Sequence, residues 1–138
     1  MSGTISAGAG KTGAGKTGSK KALGARGEDI AVKYLKREGF KIMDRNWRCT
    51  PGEADVVARE DDDIVFIEVK TRTSGDNGLP EEAVNRQKRK KYENIAIHYL
   101  ASHDLASARV RFDVISIILV GNTKAFLRHH RDAFGVGD

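Results

Sequence analysis

The chain has 138 residues, with 24 Lys and Arg against 19 Asp and Glu, and a formal charge of +5. Its longest mostly apolar run, residues 114–120, is far shorter than the roughly 20 residues that cross a bilayer, so we expect a soluble protein without a membrane span. One cysteine, Cys49, provides neither an intramolecular disulfide nor a zinc thiolate cluster, and no secretory signal follows the first lysines. These features favour a cytoplasmic protein.

The positive charge is concentrated at the start of the chain. Residues 1–21 contain four lysines and no acidic residue, so this segment carries +4 and residues 22–138 carry only +1. The segment holds six of the 15 glycines and few large apolar side chains, which are too few to offset the entropy of ordering it. We therefore predict a flexible arm over residues 1–21 and a single domain over residues 22–138.

A motif in this arm matches a nucleotide-binding pattern. Residues 8–12 and 13–17 both read GAGKT, and residues 10–17 satisfy the phosphate-loop pattern. Such a loop binds phosphate because a core strand precedes it and a helix N-terminus follows it. No core strand is predicted before Gly10, so we interpret the repeat as low-complexity sequence, with a phosphate-loop nucleotidase as the alternative.

The first predicted elements are one helix and one strand. Residues 22–38 carry apolar or small side chains at helical spacing and are followed by Gly39, which is typical of a helix C-terminus. Residues 40–43 then predict a short strand, which residues 46–48 continue or bend.

Two further strands are predicted over residues 55–58 and 64–69, joined by an acidic turn at residues 60–63. The 64–69 strand is apolar on both faces, which is typical of a central strand in its sheet. This strand therefore marks the middle of the fold.

The second half of the chain predicts a long helix and two strands. The helix begins near Pro80 and extends to about Leu100, and the strands cover residues 109–120 and 124–128. The order helix, three strands, helix, strand predicts a mixed α/β sandwich in which the long helix is the crossover between strands of one sheet.

The predicted central strand carries two charges on one face. Glu68 interrupts its apolar run and Lys70 follows two residues later, on the face shared with Phe66. Charges buried in a sheet are unfavourable unless they are paired, hydrated or bound to a cation. Asp55 opens the preceding strand, where an antiparallel neighbour would bring its carboxylate beside Glu68, and Glu53 lies on the same side. Together these residues predict an acidic pocket.

Such a pocket suits a hard divalent cation. Carboxylate oxygens favour Mg²⁺ or Mn²⁺, and a bound ion would polarise a phosphodiester and activate water, while Lys70 could orient the water or stabilise developing charge. The alternative is an ordinary ion pair of Lys70 with Glu68 or Asp55 on a solvated face.

Five cations lie within six positions near the start of the long helix. We predict that Lys88, four residues before Tyr92 on the buried stripe, leans toward the sheet and the acidic pocket, and that the other four point outward. These side chains favour phosphate binding, with Arg72 adding a contact at the exit of the central strand. The alternative is a charged face that only favours solubility. The cations are Arg86, Lys88, Arg89, Lys90 and Lys91.

Two other features are interpreted as structural. Arg111 and Asp113 share one face of their strand, which favours an ion pair over catalysis. Trp47 favours core or edge packing, with stacking on a base as the alternative.

Several short motifs, in their order and spacing, resemble the YraN family of bacterial proteins over about residues 24–120. That family is similar to the PD-(D/E)xK nuclease superfamily, especially the archaeal Holliday-junction resolvases, whose core is αβββαβ. The motifs are Gly27-Glu28, Arg45-Asn46, Gly52-Glu53-Ala54-Asp55, Phe66-Ile67-Glu68-Val69-Lys70-Thr71-Arg72 and Arg111-Phe112-Asp113-Val114.

The resemblance implies a restriction-endonuclease-like α/β fold and assigns roles to four residues. Asp55 and Glu68 would be ligands of Mg²⁺ or Mn²⁺, Lys70 the catalytic lysine, and Glu28 an additional carboxylate from the first helix. It further implies a DNA substrate, including branched or junction DNA, and a homodimer, because a resolvase cuts two strands. A catalytically silent nucleic-acid-binding module on the same fold is the alternative. From the residues alone, Glu28 has a second explanation as a first-turn carboxylate favoured by the helix dipole.

Overall fold

The computed structural model describes residues 2–6, 19–75 and 86–133. They form one six-stranded sheet with strand order β1-β6-β5-β4-β3-β2 and two helices. The predicted order helix, three strands, helix, strand is confirmed in α1 to β5, which form a restriction-endonuclease-like αβββαβ core. The elements are β1 (Ser2–Ser6), α1 (Ser19–Arg37), β2 (Lys41–Cys49), β3 (Gly52–Glu60), β4 (Asp63–Thr73), α2 (Arg86–Ser102), β5 (Arg109–Val120) and β6 (Lys124–His130).

The sheet is mixed, and β4 lies at its centre as predicted. β4 pairs antiparallel with β3 and parallel with β5, while the remaining neighbours are antiparallel. A parallel pair requires a long crossover connection, and α2 lies in the segment between β4 and β5. Residues 76–85, including the predicted helix start at Pro80, lie outside the described residues.

The helices cover opposite faces of the sheet. α1 packs with side chains such as Val65 and Ile67, and α2 packs with Ile64 and Phe66. Since both faces of β4 are covered, its run of apolar residues is buried throughout residues 64–67. Among the described residues, neither helix is long and apolar enough to cross a membrane.

The structure differs from the predicted flexible arm at both ends of residues 1–21. Ser2–Ser6 form β1, which pairs antiparallel with β6, and α1 begins at Ser19. The edge of β6 offers backbone N–H and C=O groups to an extended segment whatever its side chains are, so a segment of few large apolar side chains can still form a strand there. The GAGKT repeats at residues 8–17 lie outside the described residues.

A buried polar network joins α1, β5 and β6 on the α1 face of the sheet. The Asp113 carboxylate accepts hydrogen bonds from Arg111 Nε and Nη2, both at 2.9 Å, and from the backbone N–H of Asp132 at 3.0 Å. Asp113 also contacts Nε2 of the buried His129 at 2.8 Å, and His129 Nδ1 contacts the Tyr34 hydroxyl at 2.8 Å. The predicted Arg111–Asp113 ion pair is confirmed, and it belongs to a network that stabilises the fold.

α1 packs tightly against β4 at Gly27. A Cβ added at Gly27 would overlap the Thr71 hydroxyl and lie 2.8 Å from Thr71 Cβ, so rotation of the Thr71 side chain cannot relieve the clash. We expect Gly27→Ala to push α1 away from β4 and to lower the free energy of unfolding by about 1–3 kcal/mol. Urea denaturation measures this change.

Gly24→Ala is the matched control for this substitution. Gly24 lies in the same helix, and nothing is within 4 Å of an added Cβ. Alanine favours helix over glycine, so we expect this variant to gain up to about 1 kcal/mol. Equal effects of the two substitutions would contradict the proposed close packing at Gly27.

Candidate functional site

The sheet opens into a fork between β3 and β4. Their pairing runs from Glu60↔Asp63 to Val56↔Ile67, although β3 begins at Gly52 and β4 extends to Thr73. Beyond the last pair, β3 remains paired with β2 and β4 remains paired with β5. Side chains at the opening of the fork therefore lie between two strands that have separated.

Asp55 and Glu68 are the first residues beyond the last β3–β4 pair. The register places them opposite one another, as the strand pattern predicts. Asp55 Oδ2 accepts a hydrogen bond from the backbone N–H of Val69 at 2.9 Å. The Asp55 side chain thus takes the place of a backbone acceptor where the ladder ends, and this bond fixes its carboxylate inside the fork.

The Asp55 carboxyl is surrounded by other carboxylates. Burial raises its pKa, the hydrogen bond from Val69 partly offsets this effect, and the charges of Glu28, Glu68 and Glu53 raise it further, to about 6. These groups come from α1, β3 and β4. The three elements therefore converge on one site of concentrated negative charge, which a bound cation would neutralise.

Glu68 has one paired and one unpaired carboxylate oxygen. Its Oε1 lies 2.8 Å from Lys88 Nζ, and the two side chains are 17% and 25% exposed, respectively. This contact confirms the prediction that Lys88 leans into the acidic pocket. Within the described structure, Glu68 Oε2 is buried without a hydrogen-bond partner, which is unfavourable for a carboxylate unless a further ligand is present.

Glu28 reaches toward the fork from the middle of α1. Its Oε1 accepts a hydrogen bond from Asn46 Nδ2 at 3.0 Å and lies 3.9 Å from Arg45 Nη2. Because α1 begins at Ser19, Glu28 lies more than two turns into the helix, and no acidic residue occupies the first turn. The explanation of Glu28 as a first-turn carboxylate is therefore wrong.

Lys70 and Arg72 follow Glu68 in the part of β4 that is no longer paired with β3, which we call the open side of β4. They pair in register with Ser116 and Ile118 of β5, and both side chains are half-buried. In the described part of the chain, Lys70 forms no ion pair with Glu68 or Asp55. The alternative of an ion pair between Lys70 and one of these carboxylates is therefore wrong. Glu68 forms its ion pair with Lys88 of α2 instead.

The basic start of α2 lies next to the fork. Three of its cations are exposed, as predicted: Arg86, Lys90 and Lys91. The Lys91 side chain packs on the first residue of β3, since a Cβ added at Gly52 would lie only 2.5 Å from Lys91 Cε. Arg89 is half-buried and its Nε is buried without a hydrogen-bond partner in the described structure, so it differs from the predicted outward orientation. The exposed cations form a basic surface beside the acidic site.

An aromatic cluster, not predicted from the sequence, attaches the other end of α2 to β2. The Tyr99 hydroxyl donates to Asp44 Oδ2 at 2.7 Å, and the Trp47 ring packs edge-on against Tyr99 with centroids 5.0 Å apart. His103 stacks on Tyr99 at 3.8 Å. The packing role of Trp47 is confirmed, and the cluster fixes the orientation of α2 relative to β2.

Comparison with known proteins places the chain in a family. The family model described as "Uncharacterised protein family UPF0102" matches residues 27–117. The chain belongs to this family. UPF0102 is also known as the YraN family, so the resemblance based on the motifs is confirmed. The matched UPF0102 region contains Glu28, Asp55, Glu68, Lys70 and the basic start of α2.

Three relatives show how far this similarity extends. A UPF0102 protein of Rhodococcus opacus is 44% identical over 113 residues, covering 82% of this chain and 96% of the relative. One from Beutenbergia cavernae is 43% identical over 119 residues, with 86% and 98% covered. One from Geobacter metallireducens is 46% identical over 114 residues, with 83% and 93% covered. Their names state no activity, so function is inferred from the site.

The donor set of this UPF0102 protein fits Mg²⁺ or Mn²⁺. Over the described ranges, no three His, Cys, Asp or Glu side chains form a complete metal-binding cluster. Mg²⁺, however, is commonly held by one or two carboxylates together with water and substrate phosphate. Asp55 and Glu68 could supply those two carboxylates, and the buried Glu68 Oε2 is a suitable ligand atom.

Proposed function

We propose that this UPF0102 protein is a metal-dependent endonuclease-like protein that hydrolyses DNA phosphodiesters in the cytoplasm, with branched or junction DNA among its substrates. The observation that carries this proposal is the buried, unpartnered Glu68 Oε2 opposite Asp55 at the fork. A carboxylate oxygen is stable in such a position when a cation completes its coordination. The basic surface beside it supplies the charge that attracts a polyanion.

The proposed chemistry divides the work among residues of the fork. Mg²⁺ or Mn²⁺ bound by Asp55 and Glu68 would polarise the phosphodiester and increase the acidity of bound water. Lys70, on the open side of β4, would orient the attacking water or stabilise the charge that develops on the phosphate. Glu28 would add a third carboxylate from α1.

The proposed DNA contacts lie on α2 and at the end of β4. Arg86, Lys90 and Lys91 would contact backbone phosphates, and Arg72 would add a contact beyond Lys70. Phosphate contacts position a duplex without reading its sequence, which suits an enzyme that recognises DNA shape. Cutting two strands at a junction requires two forks, so a homodimer is part of this proposal.

A second candidate is a catalytically silent nucleic-acid-binding module. The Lys88–Glu68 ion pair favours it, because the Lys88 ammonium already neutralises Glu68 at Oε1. In this case the fork is structural, and DNA binding is salt-sensitive but independent of divalent metal. Metal binding is the property that separates the two candidates.

The deciding experiment combines calorimetry with a cleavage assay. Mn²⁺ is titrated into the metal-free protein, and linear, nicked and four-way DNA are incubated with protein and Mg²⁺ or Mn²⁺. The endonuclease-like proposal predicts Mn²⁺ binding and cleavage of at least one substrate. DNA binding with neither Mn²⁺ binding nor cleavage would favour the silent module.

The contribution of the basic surface can be measured with a double substitution. Arg86 and Lys90 are exposed and four residues apart, so they lie on one face of α2. We expect Arg86→Gln with Lys90→Gln to weaken DNA binding on the order of tenfold at 0.1 M salt, and to lower the salt slope by about 0.9 per lost phosphate contact. Fluorescence anisotropy at several salt concentrations measures both quantities.

Lys33→Gln with Lys36→Gln is the matched control. These lysines are also exposed on a helix, but α1 covers the opposite face of the sheet. The control removes the same charge, so long-range attraction falls equally in both variants. An equal loss of affinity in the two double variants would rule out specific phosphate contacts by α2.

A further inference from the structure

Asn46 has an unusual backbone conformation at the position of β2 that lies opposite Asp55. Its φ is 51°, in the left-handed region, although it lies inside β2. Asn, Asp and Gly adopt this conformation more readily than other residues. The flanking pairs Arg45↔Val56 and Trp47↔Ala54 are formed, so Asn46 lies opposite Asp55. The strand is therefore distorted next to the central carboxylate of the fork.

The Asn46 side chain connects this distortion to Glu28. Asn46 Nδ2 donates to Glu28 Oε1 at 3.0 Å, and the Glu28 side chain is only 17% exposed. Arg45 Nη2 is 2.8 Å from Asp29 Oδ1 but 3.9 Å from Glu28 Oε1. Asn46 thus provides the short hydrogen bond to Glu28, while Arg45 is held mainly by the neighbouring acid.

The chemistry of the position favours asparagine. Aspartate would tolerate the same φ but would repel Glu28 and could not donate a hydrogen bond when ionised. Glycine would tolerate the φ without any donor, and most other side chains would be strained there. Asparagine combines the backbone tolerance with an amide donor aimed at a carboxylate.

We propose that Asn46 is a positioning residue: its amide holds the Glu28 carboxylate toward the fork, so that Glu28 adds its negative charge, through bound water, to the two carboxylates of Asp55 and Glu68 that would hold a divalent cation. This inference rests on the proposed function, because it assigns Asn46 a role in metal binding. Hydrogen-bonding partners of metal ligands commonly change metal affinity by 10- to 100-fold. Asn46 should act only through Glu28.

A double-mutant cycle tests this dependence without any DNA or cleavage. Mn²⁺ is titrated calorimetrically into the wild type, Asn46→Gly, Glu28→Ala and the double variant. We expect Asn46→Gly and Glu28→Ala each to weaken Mn²⁺ binding about tenfold, and the double variant to bind no more weakly than Glu28→Ala. Thermal unfolding of each metal-free variant verifies that the fold is retained.

Asp61→Gly is the matched control. Asp61 also has a positive φ, of 53°, and lies in the exposed turn between β3 and β4, so the substitution relieves backbone strain away from the fork. It should leave Mn²⁺ affinity unchanged. If the wild type binds Mn²⁺, two results would overturn the role of Asn46 but not the proposed function. One is equal Mn²⁺ affinity of the Asn46→Gly variant, and the other is additive losses of affinity in the double variant. A wild type that binds no Mn²⁺ would overturn the proposed function as well.

Discussion

Asp55→Asn is expected to abolish metal-dependent DNA cleavage while making the metal-free protein more stable. The amide oxygen can still accept the hydrogen bond from the Val69 N–H, but the negative charge is lost. Burial and the charges of Glu28, Glu68 and Glu53 raise the pKa of Asp55 from 3.8 to about 6, so its ionised form is unfavourable in the folded protein. We expect a loss of cleavage of at least about a hundredfold, because Asp55 is one of the two proposed metal ligands.

The gain in stability has a defined pH dependence. Because the pKa of Asp55 is raised in the folded protein, stability falls as the pH rises from about 4 to about 6, and this loss persists above pH 6. At pH 8, Asp55→Asn should raise the free energy of unfolding by about 1–2 kcal/mol, less than the full effect of a two-unit shift because the amide is also buried. At pH 5 the difference should shrink.

Thermal unfolding in the presence of a chelator measures this difference at pH 8 and at pH 5. Asp62→Asn is the control, since Asp62 is exposed in the β3–β4 turn and its charge does not contribute to the shift at Asp55. Asp62→Asn should change neither cleavage nor stability appreciably. An Asp55→Asn variant less stable than the wild type at pH 8 would show that the carboxylate charge is already compensated in the metal-free fork.

Asp113→Ala is expected to lower the free energy of unfolding more than any other substitution proposed for this protein. Asp113 has no exposed side-chain surface, and its removal leaves Arg111, His129 and the Asp132 N–H without their shared acceptor. Breaking a buried ion pair from one side typically lowers the free energy of unfolding by about 3–5 kcal/mol. We expect a fall in Tm of about 10 °C or more, measured by calorimetry.

Arg109→Ala is the control on the same strand. Arg109 is 75% exposed and pairs with Asp63 at 3.0 Å, so its loss should change stability by less than about 1 kcal/mol. If Asp113→Ala does not fold, Asp113→Asn retains the shape and one acceptor oxygen and is expected to show a smaller loss. Similar stabilities of the Asp113 and Arg109 variants would contradict a central role for the buried network.

The same carboxylate predicts sensitivity to acid. Burial raises the pKa of Asp113, but hydrogen bonds from His129 and Arg111 outweigh it, so the net pKa lies below the ordinary value of 3.8. A depressed pKa contributes stability above the ordinary value, and this contribution is lost as the pH falls through the folded-state pKa. The wild type should therefore lose stability more steeply below about pH 4 than Asp113→Ala.

Most of the fold could be predicted because its signals are local. The apolar spacing of α1, the doubly apolar β4 and the long strand β5 each lie within one short stretch of sequence. β1 could not be predicted in this way, because its pairing with β6 depends on backbone groups more than 100 residues away. Its side-chain composition carries no trace of that neighbour.

The candidate site was only partly predictable. The positions of Asp55 and Glu68 follow from strand alternation and antiparallel pairing, and the lean of Lys88 follows from helical periodicity. The Asn46–Glu28 hydrogen bond joins residues 18 positions apart, and the Tyr99–Asp44 bond joins residues 55 positions apart. Neither contact could be predicted from a local sequence pattern.

The sequence by itself determined where the charges of this domain lie along the chain. The carboxylates of the site are Asp55, near the start of β3, and Glu68, in the second half of β4, and the cations are concentrated at the start of α2. Only the tertiary structure decided how these charges meet. The separation of β3 from β4 leaves Asp55 and Glu68 half-buried between the two strands, and α2 places Lys88, rather than Lys70, against Glu68. The physical reason is that burial and pairing depend on distances between elements, which emerge only when the two helices pack on opposite faces of the sheet.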